Sequence, residues 1–159
     1  MKIHEIPPAS IRLSVKETPA PDQVTALIEQ LRQRLAYGLP QTLSLELETL
    51  EPGRLVMGMT LAAKHLAVNG YLHAGSVVSL ADTSCGFGCI AHLPAAAFNF
   101  TTVELKSNFL GTATEGRVRS EAILQHAGRS TQIWDATVRA EATGRPIALF
   151  RCTQMVLYR

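Results

Sequence analysis

The sequence predicts an α+β fold, with one mostly antiparallel sheet packed on a single long helix. Three observations carry this expectation. Residues 74–91 form an apolar, helix-length run dense in small side chains; two strand-like segments precede it and four follow; and Gly53, Gly111, Gly116, Gly128 and Gly144 punctuate those segments as turns.

The elements follow in order. Val24, Leu27, Ile28, Leu31 and Leu35 recur at helical spacing after Pro19-Ala20-Pro21-Asp22, which predicts an amphipathic helix with Asp22 as its cap, ending near Gly38-Leu39-Pro40. Residues 42–50 set Leu43, Leu45 and Leu47 against Ser44, Glu46 and Glu48, the two-residue period of a half-exposed strand. Glu51-Pro52-Gly53-Arg54 is then a turn, and residues 55–62 return as its antiparallel partner. A loop over 65–72 leads into the long helix, which Pro94 closes. Residues 101–110, 117–125, 130–140 and 147–158 read as four further strands in a meander. Glycine inside a helix costs about 1 kcal/mol relative to alanine, so Gly86 and Gly88 call for compensation. Close approach of the sheet to the helix backbone supplies it, since small side chains let the two surfaces meet.

With 159 residues, the chain is expected to be one domain, 1–159, comprising an N-terminal extension and helix over about 1–38 and a core over about 40–158. Apolar residues make up 47% and charged residues 18%, enough apolar surface to expect association with copies of itself. A net charge of +2 with scattered basic residues argues against nucleic acid and membrane surfaces as partners. Cys85, Cys89 and Cys152 have the odd count and spacing of buried small side chains. His65, His92 and His126 show no zinc spacing, so no metal is expected. Asp82 and the polar residues around it make 74–91 a buried helix instead of a membrane span. The opening MKIHEIPPAS has no apolar leader stretch, which points to a cytoplasmic location.

The chemistry concentrates in NGYLHAGSVVSLAD, residues 69–82. Asp82 lies too far inside its helix for the macrodipole to explain it. Spacing alone leaves two accounts: a structural carboxylate that faces solvent or accepts from Ser79 or Thr83, or a catalytic one. The helix start bears on the choice. Backbone N–H groups there lack intrahelical acceptors, so the amide of Ala74 suits a developing oxyanion, with His73 either structural or a further donor. Ala74 and Asp82 are eight residues apart, about 12 Å along one helix. They cannot reach one carbonyl within one chain. If both act, Asp82 of one protomer meets Ala74 of another across a two-fold axis.

The run Gly70-Tyr71-Leu72-His73-Ala74-Gly75, then Leu80-Ala81-Asp82-Thr83, then Thr102-Val103-Glu104-Leu105-Lys106-Ser107-Asn108-Phe109-Leu110 resembles the hotdog-fold thioesterases of the phenylacetic-acid-degradation (PaaI-like) type, over about residues 40–158. The resemblance implies a curved antiparallel sheet wrapped around the helix, acyl-CoA as substrate, CoA as part of that substrate with no separate cofactor, and a homodimer or homotetramer with sites at the subunit interface. It implies that the Ala74 amide polarises the thioester carbonyl beside His73 and Gly75. Asp82 of the partner is then general base or nucleophile, and Thr102 positions water. It further implies that Arg129 and Ser130, in the turn Gly128-Arg129-Ser130, meet the CoA phosphates; read without it, Arg129 is as readily a solvated loop arginine, and Arg145 more so. Two positions depart from the pattern: the usual His-Gly-Gly is His73-Ala74-Gly75, and an asparagine six residues before the histidine is Ala67, leaving Asn69 as the nearby candidate. Glu104 reads as an exposed strand residue and Trp134 as a packed one. A non-catalytic binder of acyl-CoA on the same fold is the alternative reading.

Overall fold

A computed structural model describes residues 11–159. The first ten residues of the predicted extension, including the segment read for a leader, lie outside that range. Helix α1 (Pro21–Leu35) begins with proline at its first position, where the missing N–H has no intrahelical partner to lose. Ala20 occupies the cap without a side-chain bond, so Asp22 is not the cap; it lies in the first turn, where its charge meets the positive helix end. Leu27 and Leu31 are buried, on the side of α1 that packs on the first strand.

A short helix, α2 (Gly38–Thr42), stands where the expected strand was to begin. The left-handed φ of +64° at Gly38 starts it, and Ser44 at φ 53° ends the turn that follows. Both conformations break an extended run. Strand β1 therefore covers Glu46–Glu51, although Leu43 and Leu45 are buried as the alternation requires. It pairs with β2 (Arg54–Thr60) through a turn in which Gly53 takes φ +74°.

After β2 come the long helix α3 (Ala74–Ala91) and strands β3 (Ala97–Phe109), β4 (Arg117–Ala127), β5 (Thr131–Ala140) and β6 (Pro146–Tyr158). The six strands form one antiparallel sheet in the order β1-β2-β4-β5-β6-β3. The expected four-strand meander is thus corrected. Only β4, β5 and β6 run as neighbours; α3 carries the chain across the sheet, so that β3 arrives at the far edge beside β6 and β4 returns beside β2. By length and hydropathy α3 is the one described helix that matches a membrane span, yet 67% of it is buried, as in a core helix.

The helix glycines are explained by aromatic rings from the sheet. A Cβ on Gly86 would lie 2.9 Å from Phe100 Cζ, and one on Gly88 would lie 2.7 Å from both Cη2 and Cζ3 of the fully buried Trp134. Gly88→Ala is therefore expected to destabilise the protein by about 1–3 kcal/mol through overpacking, outweighing the roughly 1 kcal/mol of helix propensity it gains. The midpoint of urea unfolding measures the result; a stabilised variant would show that Trp134 shifts freely.

Candidate active site

The start of α3 is held by a chain of local bonds. His65 is fully buried: its Nδ1 accepts from Ala62 N–H at 2.9 Å, so its Nε2 carries the proton and donates to Leu43 O at 2.9 Å. The carbonyl of His65 in turn accepts from His73 N–H at 2.9 Å and from Ser76 Oγ at 3.0 Å. These bonds fix the loop against the first turn. His73 is the N-cap, and its Nδ1 accepts from Gly75 N–H at 2.8 Å. A Cβ on Gly75 would lie 2.9 Å from that nitrogen, so glycine lets the ring fold over the helix end. The Gly75 amide is thereby engaged. At the first helical position, Ala74 is an exposed residue whose amide bonds to none of the described residues. The helix start thus offers one free N–H, on an exposed residue.

Asp82 lies two turns further on, and its partner is neither Ser79 nor Thr83. Ser79 Oγ donates to Gly75 O at 2.7 Å, while Asp82 Oδ1 lies 3.2 Å from Thr102 Oγ1 of β3. Burial raises the Asp82 carboxyl above its ordinary pKa, and the Thr102 hydroxyl opposes that rise. Thr102 Oγ1 also lies 2.9 Å from Oε1 of Gln154, its cross-strand neighbour on β6. Gln154 is fully buried, with Nε2 donating to Cys152 Sγ at 3.2 Å. A bulge in β3 between Thr102 and Glu104 interrupts the ladder beside this contact.

The structure thus joins Asp82 to Thr102 and leaves Ala74 about 12 Å away along the same helix. Asn69 is exposed, its Oδ1 accepting from Tyr71 N–H at 3.2 Å in a turn with Gly70 at φ +82°. Arg129 and Ser130 are exposed in the β4–β5 turn, which is tied to β6 by Tyr158 Oη donating to Arg129 O and by Val156 N–H donating to Ser130 O. Glu104 is exposed and Trp134 packed, as read from their neighbours. The three thiols are free and buried, and no cluster of metal-ligating side chains occurs among the described residues.

Gln154 and His65 were missed by the motif reading. For Gln154 a signal existed: it occupies an inward position in the period-two run of β6, between the buried Cys152 and Val156. A polar side chain at such a place needs a partner.

Comparison with known proteins identifies the family of the chain. The family model described as the thioesterase superfamily matches residues 69–147, from the loop before α3 to the start of β6. A 1,4-dihydroxy-2-naphthoyl-CoA hydrolase from Listeria monocytogenes is 30% identical over 116 residues, covering 73% of this chain and 93% of the relative. The acyl-coenzyme A thioesterase PaaI from Escherichia coli is 27% identical over 112 residues, covering 70% and 76%. A thioesterase family protein from Silicibacter pomeroyi superposes with a TM-score of 0.76 at 31% identity, covering 84% of this chain and 99% of that one. With its α3 helix laid across a six-stranded antiparallel sheet, the chain belongs to the thioesterase superfamily of hotdog-fold proteins.

Proposed function

We propose that the protein hydrolyses the thioester of an aryl- or aliphatic acyl-CoA to the free acid and CoA. The observation that carries this reading is the pair of half-sites on α3: a free amide at Ala74 and a half-buried carboxylate at Asp82 held by Thr102. In the reaction, Asp82 takes a proton from water as the water oxygen attacks the thioester carbon. The oxyanion forms against the Ala74 N–H of the partner protomer. Collapse of the tetrahedral intermediate breaks the C–S bond, and the proton on Asp82 leaves with the thiolate. Arg129 and Ser130 meet the CoA phosphates, where the planar guanidinium fork suits the anion. Asn69, His73 and Gly75 shape the mouth of the site around the Ala74 amide.

The site is completed in a homodimer or a dimer of dimers. Supporting this, β3 lies at the sheet edge with a free row of backbone groups, and its Leu105 and Phe109 are 43% and 48% exposed on the face toward α3. Residues of about 40–158 supply the catalytic core, and of the segment before it residues 11–38 are described.

Thiol release from a panel of aryl-, phenylacetyl- and medium-chain acyl-CoAs tests the proposal. Turnover of at least one panel member is expected, with CoA and free acid formed in equal amounts. Tight acyl-CoA binding without turnover of any member would instead establish a binding module on the same fold.

A further inference from the structure

Thr102 has one hydroxyl proton and two acceptors within reach, Gln154 Oε1 at 2.9 Å and Asp82 Oδ1 at 3.2 Å. It cannot serve both at once. An ionised carboxylate is the stronger acceptor, because a charge-assisted hydrogen bond is about twice as strong as a neutral one. Once the carboxyl is protonated that advantage is gone, and the nearer amide oxygen is favoured. We infer that Gln154 is a positioning residue, an alternative acceptor that takes the Thr102 hydroxyl whenever Asp82 carries a proton and releases it whenever Asp82 is ionised.

This inference rests on the reading of Asp82 as general base. Such a base passes through both protonation states in each turnover, so its neighbour needs a second place to bond in one of them. The toggle is a rotation about the Thr102 Cβ–Oγ1 bond; it breaks no covalent bond and transfers no proton. Gln154 is suited to the role because it cannot turn away: it is fully buried, opposite Thr102 in the ladder, and its nitrogen is engaged by Cys152 Sγ. The titratable groups coupled to this cluster are thiols: Cys85 of α3, which feels the Asp82 charge, and Cys152 of β6, which accepts from Gln154; burial holds the Cys85 proton well above its ordinary range. Burial, opposed by the Thr102 hydroxyl, sets the direction in which the Asp82 carboxyl is shifted.

Opposite effects follow for the two neighbours. With Gln154 unable to accept, the Thr102 hydroxyl commits to Asp82 and favours the ionised form, so the Asp82 titration midpoint falls. Without the Thr102 hydroxyl, burial acts unopposed and the midpoint rises. The test is titration of the Asp82 carboxyl by carbon NMR in the full-length protein, using wild type, Gln154→Met, Thr102→Val and the double variant. The expected result is a fall of about half a pH unit in Gln154→Met, a rise in Thr102→Val, and no further change when Gln154→Met is added to Thr102→Val. A midpoint that is unchanged or raised in Gln154→Met, or that moves equally in the Thr102→Val background, overturns the inference. Should Gln154→Met not fold, Gln154→Asn withdraws the carboxamide by one methylene and is expected to lower the midpoint likewise; no fall there also overturns it. The acid limb of the kcat/KM profile follows the same midpoints. A chain that hydrolyses no acyl-CoA would sink the thioesterase reading, while the carboxyl titration still decides the coupling.

Discussion

Replacing Ala74 by proline is expected to lower kcat by about 100- to 1,000-fold and leave the fold intact. Proline removes the one N–H that the helix start leaves free, and the first helical position is where proline is best tolerated. The residue before it is already suited: His73 has φ −69° and ψ 135°, the extended conformation that a following proline demands. The His73 to Gly75 bond is untouched, since it uses the next amide. Circular dichroism and thermal unfolding close to wild type, with turnover lost, is the expected pair of readings. Full activity in a folded Ala74→Pro protein would remove the amide from the mechanism.

Asp82→Asn is expected to lower kcat by about 100- to 10,000-fold, the loss of a general base, while raising thermal stability at neutral pH. The sign of the stability change follows from burial. The folded-state carboxyl titrates above its unfolded value, so the folded protein binds a proton more tightly than the unfolded chain does. At pH above the folded pKa both states are ionised and the folded state bears the cost of a poorly solvated charge; below the unfolded pKa both are neutral and the cost is gone. The gain from asparagine should therefore be present at neutral pH and fade as pH falls through the raised pKa into the ordinary carboxylate range. Thr102 can still donate to the asparagine oxygen, which protects the local packing. Melting temperatures of both proteins from about pH 3 to about pH 8 check the prediction, and a variant that is less stable at neutral pH contradicts it.

The two variants together test the shared site. In a dimer that mixes Ala74→Pro with Asp82→Asn, one site carries both defects and the other carries neither. Random reassembly of equal amounts makes about half the dimers mixed, each with one of two sites intact, so about a quarter of wild-type activity returns. A single-chain site would return almost none.

Much of this arrangement could be read along the chain. The alternation of Leu43, Leu45 and Leu47 correctly marked buried positions, and the small residues of α3 correctly announced a close approach by the sheet. Its local conformation was less legible: Gly38 and Ser44 turn the backbone left-handed, so burial alternates across a helical turn as well as along a strand. Periodicity reports which face is covered, and it is indifferent to how the backbone gets there.

The site divides the same way. The amide at the start of α3, the carboxylate two turns on and the helical rise between them are local properties, so the sequence alone determined that Ala74 and Asp82 cannot meet within one chain. What the tertiary structure decided is the company Asp82 keeps. Strand β3 had to cross to the far edge before Thr102 could lie opposite Gln154, and the hydrogen bonds between β3 and β6 join residues about fifty positions apart. No period or spacing encodes that pairing. It arises when buried polar groups find partners only after the sheet has closed around the helix.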